Sequence, residues 1–333
     1  KIQRTDCRGD IMIEVREPGL MTTVQDTGRY GQYHIGMPPS GAMDQFAHKI
    51  SNYLVGNDED TPTLEMTYQG AELAFDETTL IAVTGADMSP TLDDEPIPTW
   101  TAVEVKAGQT LSFEFSQEGV RSYLSVAGGF NVPEIMDSSS TYTLIGLGGF
   151  EGRQLQTGDE LHCGDGTYKQ DRIGITAPNA HRPDYSQKVI RVIMGLCDYR
   201  LTDEGRKQFL NTEWKVSNEA DRVGYRFEGP DITDMFKERE QPFGAGTDVT
   251  NVVDLGYPIG SIQMAGQPII LMRDAVTGGG YATVGTLVSP DRSMLSQCRT
   301  HSGVTFESID IDEALEIREE RDNSLESLRE QLR

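Results

Sequence analysis

GQTLSFEFSQEGVRSYLSVAGGF, residues 108–130, contains two runs in which the residues of one face recur at every second position. The residues of that face are Leu111, Phe113 and Phe115 in the first run and Val120, Ser122, Leu124 and Val126 in the second. A repeat of two residues is typical of a strand with one buried face, and the glycines that follow each run mark turns. The stretch therefore predicts short strands joined by turns.

The same pattern recurs along the chain, which predicts a molecule rich in β-structure. Alternating runs lie at 11–15, 73–75, 223–227 and 304–306, and continuous apolar runs, which favour strands buried on both faces, lie at 80–83, 189–194 and 268–272. The chain also contains 35 glycines and 15 prolines, which punctuate these runs. Together these features favour an all-β class, a barrel or sandwich with few helices.

Two segments follow a helical pattern instead. Residues 44–55 place their apolar side chains on one face, and Gly56 stands where a helix commonly ends. The tail, 312–333, carries leucines at positions i, i+3 and i+7 among dense mixed charges. It predicts a helix that is solvated or contacts a partner, with a frayed charged end as the alternative.

The length of 333 residues predicts two domains. The polar segment 165–188 has little apolar periodicity and indicates the boundary between them. The first eleven residues lack the apolar core of a secretory signal, which suggests a tag, an extended start or a disordered tail. The predicted organisation is a tail at 1–11, domains at 12–165 and 166–310, and a charged helix at 311–333.

The chain carries 29 basic and 53 acidic residues, a formal net charge of −24. This charge repels nucleic-acid phosphates and anionic lipids, and no apolar stretch is long enough to cross a bilayer, so neither nucleic acid nor membrane is an expected partner. The acidic excess favours a salt-adapted, halophilic protein, with an acidic patch for one partner as the alternative. Scattered cysteines and single histidines predict neither a disulfide framework nor a metal site, and a cytoplasmic location fits best.

Three segments rich in glycine and polar residues are the candidates for chemistry. The sequence has no GxxxxGK[ST] phosphate loop, no GxGxxG fingerprint and no GxSxG elbow, which argues against a self-contained ATPase, dehydrogenase or serine hydrolase. In the first segment, Gln25, Asp26 and Arg29 lie on a predicted tight turn, and Ser40 or Asp44 can cap the amides that follow. A structural salt bridge from Arg29 to either aspartate is the alternative.

The second segment places two arginines on one face of a predicted strand. Arg222 and Arg226 alternate with apolar residues, so they form a positive surface where an anionic group can dock. A ladder of ion pairs with Glu219, Asp221 or Glu228 is the structural alternative.

The third segment surrounds a run of three glycines, 278–280, with polar side chains. Gln263 and Asp274 precede the run, and Thr277 and Tyr281 flank it. Glycines allow the backbone to approach a ligand closely, although they also form ordinary bulges.

These motifs, in this order, resemble the KipA family, also called allophanate hydrolase subunit 2 or the biotin-dependent carboxyltransferase family, which includes proteins like the C subunit of 5-oxoprolinase. The matching segments are GLMTTVQDTGRYG (19–31), GMPPSGAMD (36–44), SNYLVGN (51–57), VRSYLSVAGGF (120–130), GGFEGRQLQTGDEL (148–161), DRVGYRFEG (221–229), GQPIILMRD (266–274) and GGGY (278–281). The likeness covers residues 12 to 307. QMAGQPI (263–269) and DAVTGGGY (274–281) depart from the family's usual QVPxDGQPI and D-x-QTTGGY.

The resemblance implies two cyclophilin-like β-barrel domains and a KipI-like partner subunit. The activity it implies is that of a subunit of an ATP-dependent 5-oxoprolinase, which converts 5-oxoproline to glutamate with a further LamB/YcsF-type subunit. ATP would then act in the complex, at a location the sequence does not assign, and the chain alone would be catalytically incomplete. One alternative is a carboxyltransferase component that acts on urea or a similar small amide with a biotin-dependent carboxylase. The other is a regulatory protein that antagonises a KipI-like histidine kinase inhibitor.

The sequence contains no biotinyl-lysine AMKM segment, which favours the 5-oxoprolinase interpretation over the biotin-dependent one. We expect residues of all three segments to line one polar cleft. The predicted catalytic residues are Arg29, Asp44, Asp274 and Tyr281, and the predicted substrate-binding residues are Gln25, Ser40, Arg222, Arg226, Gln263 and Thr277. Arg222 is expected to bind a substrate carboxylate through its bidentate fork, and Asp274 the ring or urea nitrogen.

Overall fold

The computed structural model describes residues 11–164 and 169–332. The predicted tail, apart from Ile11, and the predicted boundary at 165/166 lie outside the described residues. The chain divides into two compact units. The first comprises the residues up to Arg29, Ser40–Arg182 and Ser324 onward, and the second comprises Tyr30–Pro39 and Pro183–Asn323. The domain limits expected from the family stay predictions.

In the described part of the first unit, eleven strands form two sheets. The strands are β1 (Ile11–Glu17), β2 (Met21–Gln25), β3 (Thr63–Thr67), β4 (Glu72–Phe75), β5 (Thr79–Asp87), β6 (Thr91–Leu92), β7 (Glu95–Pro96), β8 (Ala102–Val105), β9 (Thr110–Ser112), β10 (Glu118–Val126) and β11 (Glu160–Cys163). One sheet has the order β11-β1-β4-β9-β6-β7 and the other β2-β3-β10-β5-β8. All these neighbours pair antiparallel.

The apolar residues of the two sheets meet in one core. Alternate residues of the longer strands enter it, such as Ile13 and Val15 of β1 and Leu124 and Val126 of β10. The half-buried strand predicted at 11–15 is confirmed. The run at 120–126 keeps its apolar alternation, but the prediction of one buried face is wrong there, because residues 119–126 are all buried. The run at 111–115 is confirmed only in its first part: β9 ends at Ser112. Beyond Ser112 the regular pairing of β9 with its neighbouring strands ends, and the amide of Glu114 donates to the carbonyl of Met88 (2.8 Å).

The five-stranded sheet is also covered on its second face, by helix α1 (Gln45–Val55). Ile50 and Leu54 of the helix join Leu80 and Ala82 of β5 in a second apolar cluster, while the intervening Ile81 and Val83 belong to the first core. The run at 80–83 is therefore a strand buried on both faces, as predicted. Gly56 ends α1 in the left-handed conformation, with a φ of 85°, which a residue without a Cβ adopts most readily.

The second unit is built on a closed barrel. Its strands are β12 (Val189–Met194), β13 (Trp214–Val216), β14 (Gly224–Glu228), β15 (Asn251–Gly256), β16 (Ser261–Met264), β17 (Pro268–Leu271), β18 (Gly278–Tyr281), β19 (Thr283–Leu287) and β20 (Gly303–Ser308). Seven of them close in the order β12-β19-β16-β17-β14-β13-β20, and β15 and β18 form a separate ribbon. Helices α2 (Asp203–Asn211) and α3 (Ser289–Ser296) complete the unit.

Large aromatic side chains of α2 and of three barrel strands pack against one another. Phe209 of α2 stacks on Phe306 of β20 with ring centroids 5.0 Å apart, and Phe227 of β14 meets Phe306 edge to face at 5.7 Å. Trp214 is fully buried beside Phe209, and its indole nitrogen donates to the carbonyl of Phe209 (2.9 Å). Burial of these rings contributes much of the barrel's stability.

The predicted charged tail is helix α4 (Ile311–Gln331). Its leucine stripe packs on the first unit, where Leu328 and Leu332 are buried in the α1 cluster and Leu325 lies partly buried against it. Arg172 secures the helix end, because its guanidinium donates to the carbonyl of Leu332 and also to that of Leu54 at the end of α1 (3.1 Å). The all-β class with few helices is confirmed, with four α-helices among the described residues.

Candidate functional site

In the first unit, Gln25 and Arg29 are bound to a serine-rich loop, residues 138–141. The amide nitrogen of Gln25 donates to the carbonyl of Thr141 at 3.1 Å. Arg29 is buried, and its Nη2 donates to the carbonyl of Ser140 at 2.5 Å. These contacts join segments that are 116 and 111 positions apart in the sequence. They fix the predicted turn against the loop.

Asp26 is the centre of the same cluster. Its carboxylate accepts hydrogen bonds from the amide of Gly28 (2.7 Å), the hydroxyl of Ser138 (2.8 Å), the amide of Ser139 (2.6 Å) and the hydroxyl of Ser140. Four donors on one buried carboxylate leave little capacity for a substrate. Asp26 therefore organises the loop and the turn rather than facing a ligand.

Asp44 caps helix α1. Its Oδ1 accepts from the amides of Phe46 and Ala47, both at 3.1 Å, and its own amide donates to the hydroxyl of Tyr123 at 2.7 Å. Ser40, which is buried with a φ of 54°, keeps a hydroxyl that finds no hydrogen-bond partner among the described residues. Of the two predicted capping residues, Asp44 takes that role, and its predicted catalytic role stays a prediction.

A buried acid that sequence reasoning missed lies beside this cap. Glu65 accepts hydrogen bonds from the amide of Met43 and the hydroxyl of Tyr123, both at 2.7 Å, and its other oxygen lies 3.7 Å from Nε of Arg121. Burial raises the pKa of Tyr123 well above its usual value, and the charges of Glu65 and Asp44 add to the effect. One feature of the sequence could have indicated this acid: Glu65 is a single glutamate between two apolar residues, in a run that is typical of a buried strand.

In the second unit, Arg222 and Asp274 bind each other. Nε of Arg222 lies 2.8 Å from Oδ2 of Asp274, and Nη2 lies 3.2 Å from Oδ1, so the pair has the two-point geometry of a guanidinium on a carboxylate. The amide of Asp274 also donates to the carbonyl of Arg222 at 2.9 Å. Both side chains are buried. The structure thus brings together two predicted site residues from different segments.

Arg226 takes part in the surface pairing that the sequence left open. Its Nε lies 3.5 Å from Glu219 Oε2, and both side chains are substantially exposed. An exposed pair of this kind contributes little to stability.

Gln263 occupies a row of residues that runs across four barrel strands. The register pairs Arg226 of β14 with Ile269 of β17, Ile269 with Gln263 of β16, and Gln263 with Thr283 of β19. Gln263 and Thr283 are buried, yet the amide nitrogen of the first and the hydroxyl of the second find no hydrogen-bond partner among the described residues. The hydroxyl of Ser261, two residues before Gln263, is also buried and finds no hydrogen-bond partner among the described residues. Unsatisfied buried polar atoms are costly, so this row is the strongest candidate for contact with a polar ligand.

Tyr281 is the last residue of the ribbon strand β18, and Thr277 immediately precedes that strand. The hydroxyl of Tyr257 accepts a hydrogen bond from the amide of Tyr281 at 2.7 Å and donates one to the carbonyl of Tyr281 at 3.1 Å. The amide of Tyr257 donates to the carbonyl of Thr277 at 2.9 Å. A Cβ on Gly279 would lie 3.0 Å from the ring of Tyr257. The absence of a Cβ at Gly279 thus leaves room for the Tyr257 ring. Tyr281 is 45% exposed.

The predicted site residues form two sets. Gln25, Arg29, Ser40 and Asp44 lie in the first unit, and Arg222, Arg226, Gln263, Asp274, Thr277 and Tyr281 in the second. The single cleft expected to contain them all stays a prediction. Across residues 11–164 and 169–332, no group of three or more His, Cys, Asp or Glu side chains is arranged to hold a metal ion. Over the same residues, no helix combines the length and apolarity needed to span a membrane.

Comparison with known proteins places these features in a family. Residues 35–308 match the model of the carboxyltransferase domain, subdomain A and B. The chain is 33% identical to the 5-oxoprolinase C subunit of Haemophilus influenzae, over 96% of this chain and 98% of that protein. It is 34% identical to the 5-oxoprolinase C subunit of Escherichia coli, over 95% and 97% respectively.

Larger proteins contain a similar region. The chain is 31% identical to urea amidolyase of Saccharomyces cerevisiae over 95% of its own length but only 18% of that protein. The crystal structure of the K. lactis urea amidolyase superposes with a TM-score of 0.90 and 31% identity, over 97% of this chain and 20% of that one. The match to the family model and these similarities, which extend over nearly all of the sequence, show that the chain belongs to the carboxyltransferase subdomain A and B family.

Proposed function

We propose that this chain is the C-type subunit of an ATP-dependent 5-oxoprolinase. The observation that carries the proposal is its similarity to two 5-oxoprolinase C subunits over 97–98% of their lengths, against 18% of a urea amidolyase. In the proposal it acts with a KipI-like subunit and a LamB/YcsF-type subunit. Hydrolysis of ATP is then coupled to hydrolysis of the lactam bond, and glutamate is the product.

The second unit offers groups that suit a small cyclic amide. Gln263 has a buried N–H donor without a partner among the described residues, which can donate to the lactam oxygen as negative charge develops there. Arg222, oriented by Asp274, supplies a guanidinium for the substrate carboxylate. The carboxylate of Asp274 keeps further lone pairs that can accept the ring N–H. Tyr281, at the end of β18, and Thr277, just before that strand, lie close to Asp274 in sequence.

The proposal assigns a supporting role to four predicted site residues of the first unit: Arg29, Asp44, Gln25 and Ser40. Three of them are held by hydrogen bonds to the protein's own backbone, and Ser40 keeps a hydroxyl without a partner among the described residues. No residue of this chain is assigned to ATP, because the sequence contains no phosphate loop.

A carboxyltransferase acting on urea or a similar amide is the second candidate. The observation that favours it is the TM-score of 0.90 against the K. lactis urea amidolyase. Urea also presents a carbonyl between N–H groups, so Gln263 and Asp274 would serve it equally, but it has no carboxylate for Arg222. In this alternative a biotin-dependent carboxylase supplies the carboxyl group.

A substrate comparison separates the two candidates. The chain is co-purified with KipI-like and LamB/YcsF-type partners, and glutamate release from 5-oxoproline is measured with and without ATP. A parallel reaction contains urea, bicarbonate, ATP and a biotin carboxylase with its biotin carrier. We expect ATP-dependent glutamate formation in the first reaction and no carboxylation of urea in the second. The opposite pattern would replace the proposal by the urea alternative.

A further inference from the structure

Thr283 of β19 lies directly opposite Gln263 of β16 in the barrel of the second unit. Both side chains are buried. The hydroxyl of Thr283 and the amide nitrogen of Gln263 find no hydrogen-bond partner among the described residues. A buried polar group without a hydrogen bond costs stability, and here two such groups occupy facing positions of adjacent strands. This pairing is typical of a place that a ligand completes.

The strand pairing brings these two groups within reach of one atom. Residues directly opposite each other in an antiparallel pair point to the same face, with Cβ atoms about 4.5–5.5 Å apart. The register between β16 and β19 shifts at this point, from Ile262 opposite Gly285 to Gln263 opposite Thr283. Such an irregularity re-aims the side chains beside it. A glutamine amide and a threonine hydroxyl can both donate, so they can converge on a single acceptor.

An apolar surface adjoins the two donors. Ile269 of β17 lies opposite Gln263 on its other side and so shares its face of the barrel wall. Ile269 packs with Tyr257, Leu271 and Ala275 in a buried apolar cluster. Binding sites for small molecules combine such an apolar wall with a few placed polar groups, and a hydrogen bond is stronger in apolar surroundings. The setting suits the oxygen of an uncharged amide.

Ser261 carries a third buried hydroxyl without a partner among the described residues. It lies on the same face as Gln263, two residues before it, but opposite Thr286 instead of Thr283. Two residues along a strand span roughly 6.6 Å, so Ser261 would meet a different atom of a bound molecule. Thr283 is therefore the group placed to share one acceptor with Gln263.

We propose that Thr283 is a catalytic residue that binds the amide oxygen of the substrate together with Gln263. The hydroxyl and the amide N–H donate to the same oxygen, and both hydrogen bonds strengthen as negative charge develops there. The inference rests on the proposed function, in which Gln263 donates to that oxygen. Urea carries a carbonyl as well, so the assignment covers either candidate substrate. An ordered water that bridges the two groups without a part in the reaction is the competing interpretation.

Thr283→Val tests the proposal, because it keeps the shape of the side chain and removes only the hydroxyl. Thr283→Ser retains a hydroxyl at the same position. The matched control is Thr79→Val in the first unit, since Thr79 of β5 is also buried with a hydroxyl that has no partner among the described residues. Tm is measured on each isolated chain. The values of kcat and KM are measured in the reconstituted complex, with whichever substrate the wild type turns over.

We expect Thr283→Val to keep or raise the Tm, because it replaces an unpartnered buried hydroxyl by an apolar group. Its kcat should fall at least tenfold, with a smaller change in KM, since the donor acts mainly on the transition state. Thr283→Ser should retain most of the rate, and Thr79→Val all of it. A kcat of Thr283→Val within twofold of the wild type would overturn the proposal, and a lower Tm in that case would establish the bridging water.

Failure of the proposed function can be told apart from failure of this inference. Turnover of urea and not of 5-oxoproline would remove the proposed function, while the same variants would still decide the role of Thr283. If the wild-type complex turns over neither amide, calorimetric titration of the isolated chain with 5-oxoproline and with urea decides it. One of the two should then bind the wild type and bind Thr283→Val at least threefold more weakly. Equal affinities in that experiment, or no binding to the wild type, would overturn the inference.

Discussion

Arg222 and Asp274, which are 52 positions apart in the sequence, form a buried two-point ion pair with Nε–Oδ2 at 2.8 Å and Nη2–Oδ1 at 3.2 Å. The sequence predicts that both residues bind substrate. Their pairing means that substrate would meet a guanidinium already oriented by a carboxylate, rather than two independent groups. It also means that stability and activity must be measured together at these positions.

Removing one partner of this pair should be costly. Arg222→Ala or Asp274→Ala leaves an uncompensated buried charge, and we expect a loss of roughly 3–5 kcal/mol in the free energy of unfolding. The double variant Arg222→Met/Asp274→Leu removes both charges and should recover most of that loss. Denaturant melts of the three variants, recorded beside rates in the reconstituted complex, check this. If the double variant is stable and fully active, the pair has no role in the reaction.

The cap of helix α1 gives a second prediction, at Asp44. Asp44→Ala should lower the free energy of unfolding by about 1 kcal/mol, because the amides of Phe46 and Ala47 lose their acceptor. Asp44→Ser preserves a capping oxygen and should retain most of the stability. Activity separates the roles: a stable but inactive serine variant would establish catalysis by the carboxylate, and an active one would establish that Asp44 only caps.

His48 predicts a pH dependence of stability. Burial lowers its pKa to about 4, against the opposing carboxylates of Asp26 and Glu65, so the folded protein keeps it neutral. Its Nε2 donates to the carbonyl of Glu59, and Nδ1 faces the hydroxyl of Thr63, both at 3.0 Å.

The unfolded chain takes up a proton near pH 6.5, and the folded one only near pH 4. The stability contributed by neutral His48 is therefore fully present above pH 6.5 and falls as the pH drops toward 4. Between pH 6.5 and 5 we expect a loss of about 2 kcal/mol from this residue. Urea melts at several pH values check this against His48→Gln, whose pH profile should be flatter by that amount. Identical slopes in both proteins would contradict the assignment.

Salt should stabilise the protein. A net charge of −24 is self-repelling, and the screening length shortens from about 10 Å at 0.1 M salt to about 3 Å at 1 M. We expect Tm to rise steadily over a potassium chloride series from about 0.1 to 2 M. A flat or falling Tm would contradict the halophilic interpretation of the acidic charge. It would favour the alternative, in which the acidic residues form a patch that binds one partner.

Local patterns predict the fold class well, because each strand buries one face or both. Ile13 and Val15 alternate as a half-buried strand does, and Leu80 to Val83 read continuously because α1 covers the second face of the sheet. The helix and its cap are equally local, since Asp44 and Gly56 act within one turn of its ends. These features depend only on residues that are close together in the sequence, so they can be predicted from the sequence alone.

Contacts between distant segments could not be predicted in the same way. Arg172 lies in a segment that reads as a boundary, yet it ties together the ends of α1 and α4. Glu65 looks like one polar residue of a strand, yet it is buried and accepts a hydrogen bond from Tyr123, which is 58 positions away. Likewise, Tyr30–Pro39 continues a motif of the first unit but belongs to the second, which no local pattern indicates.

The most direct measurement of the central claim is ATP-dependent glutamate release from 5-oxoproline by this chain alone and by the chain with its KipI-like and LamB/YcsF-type partners. The account predicts no detectable release by the isolated chain, because its sequence has no phosphate loop or nucleophile motif. It predicts clear release by the complete set, abolished when this chain is omitted. Robust turnover by the isolated chain, or full activity of the partners without it, would contradict the assignment.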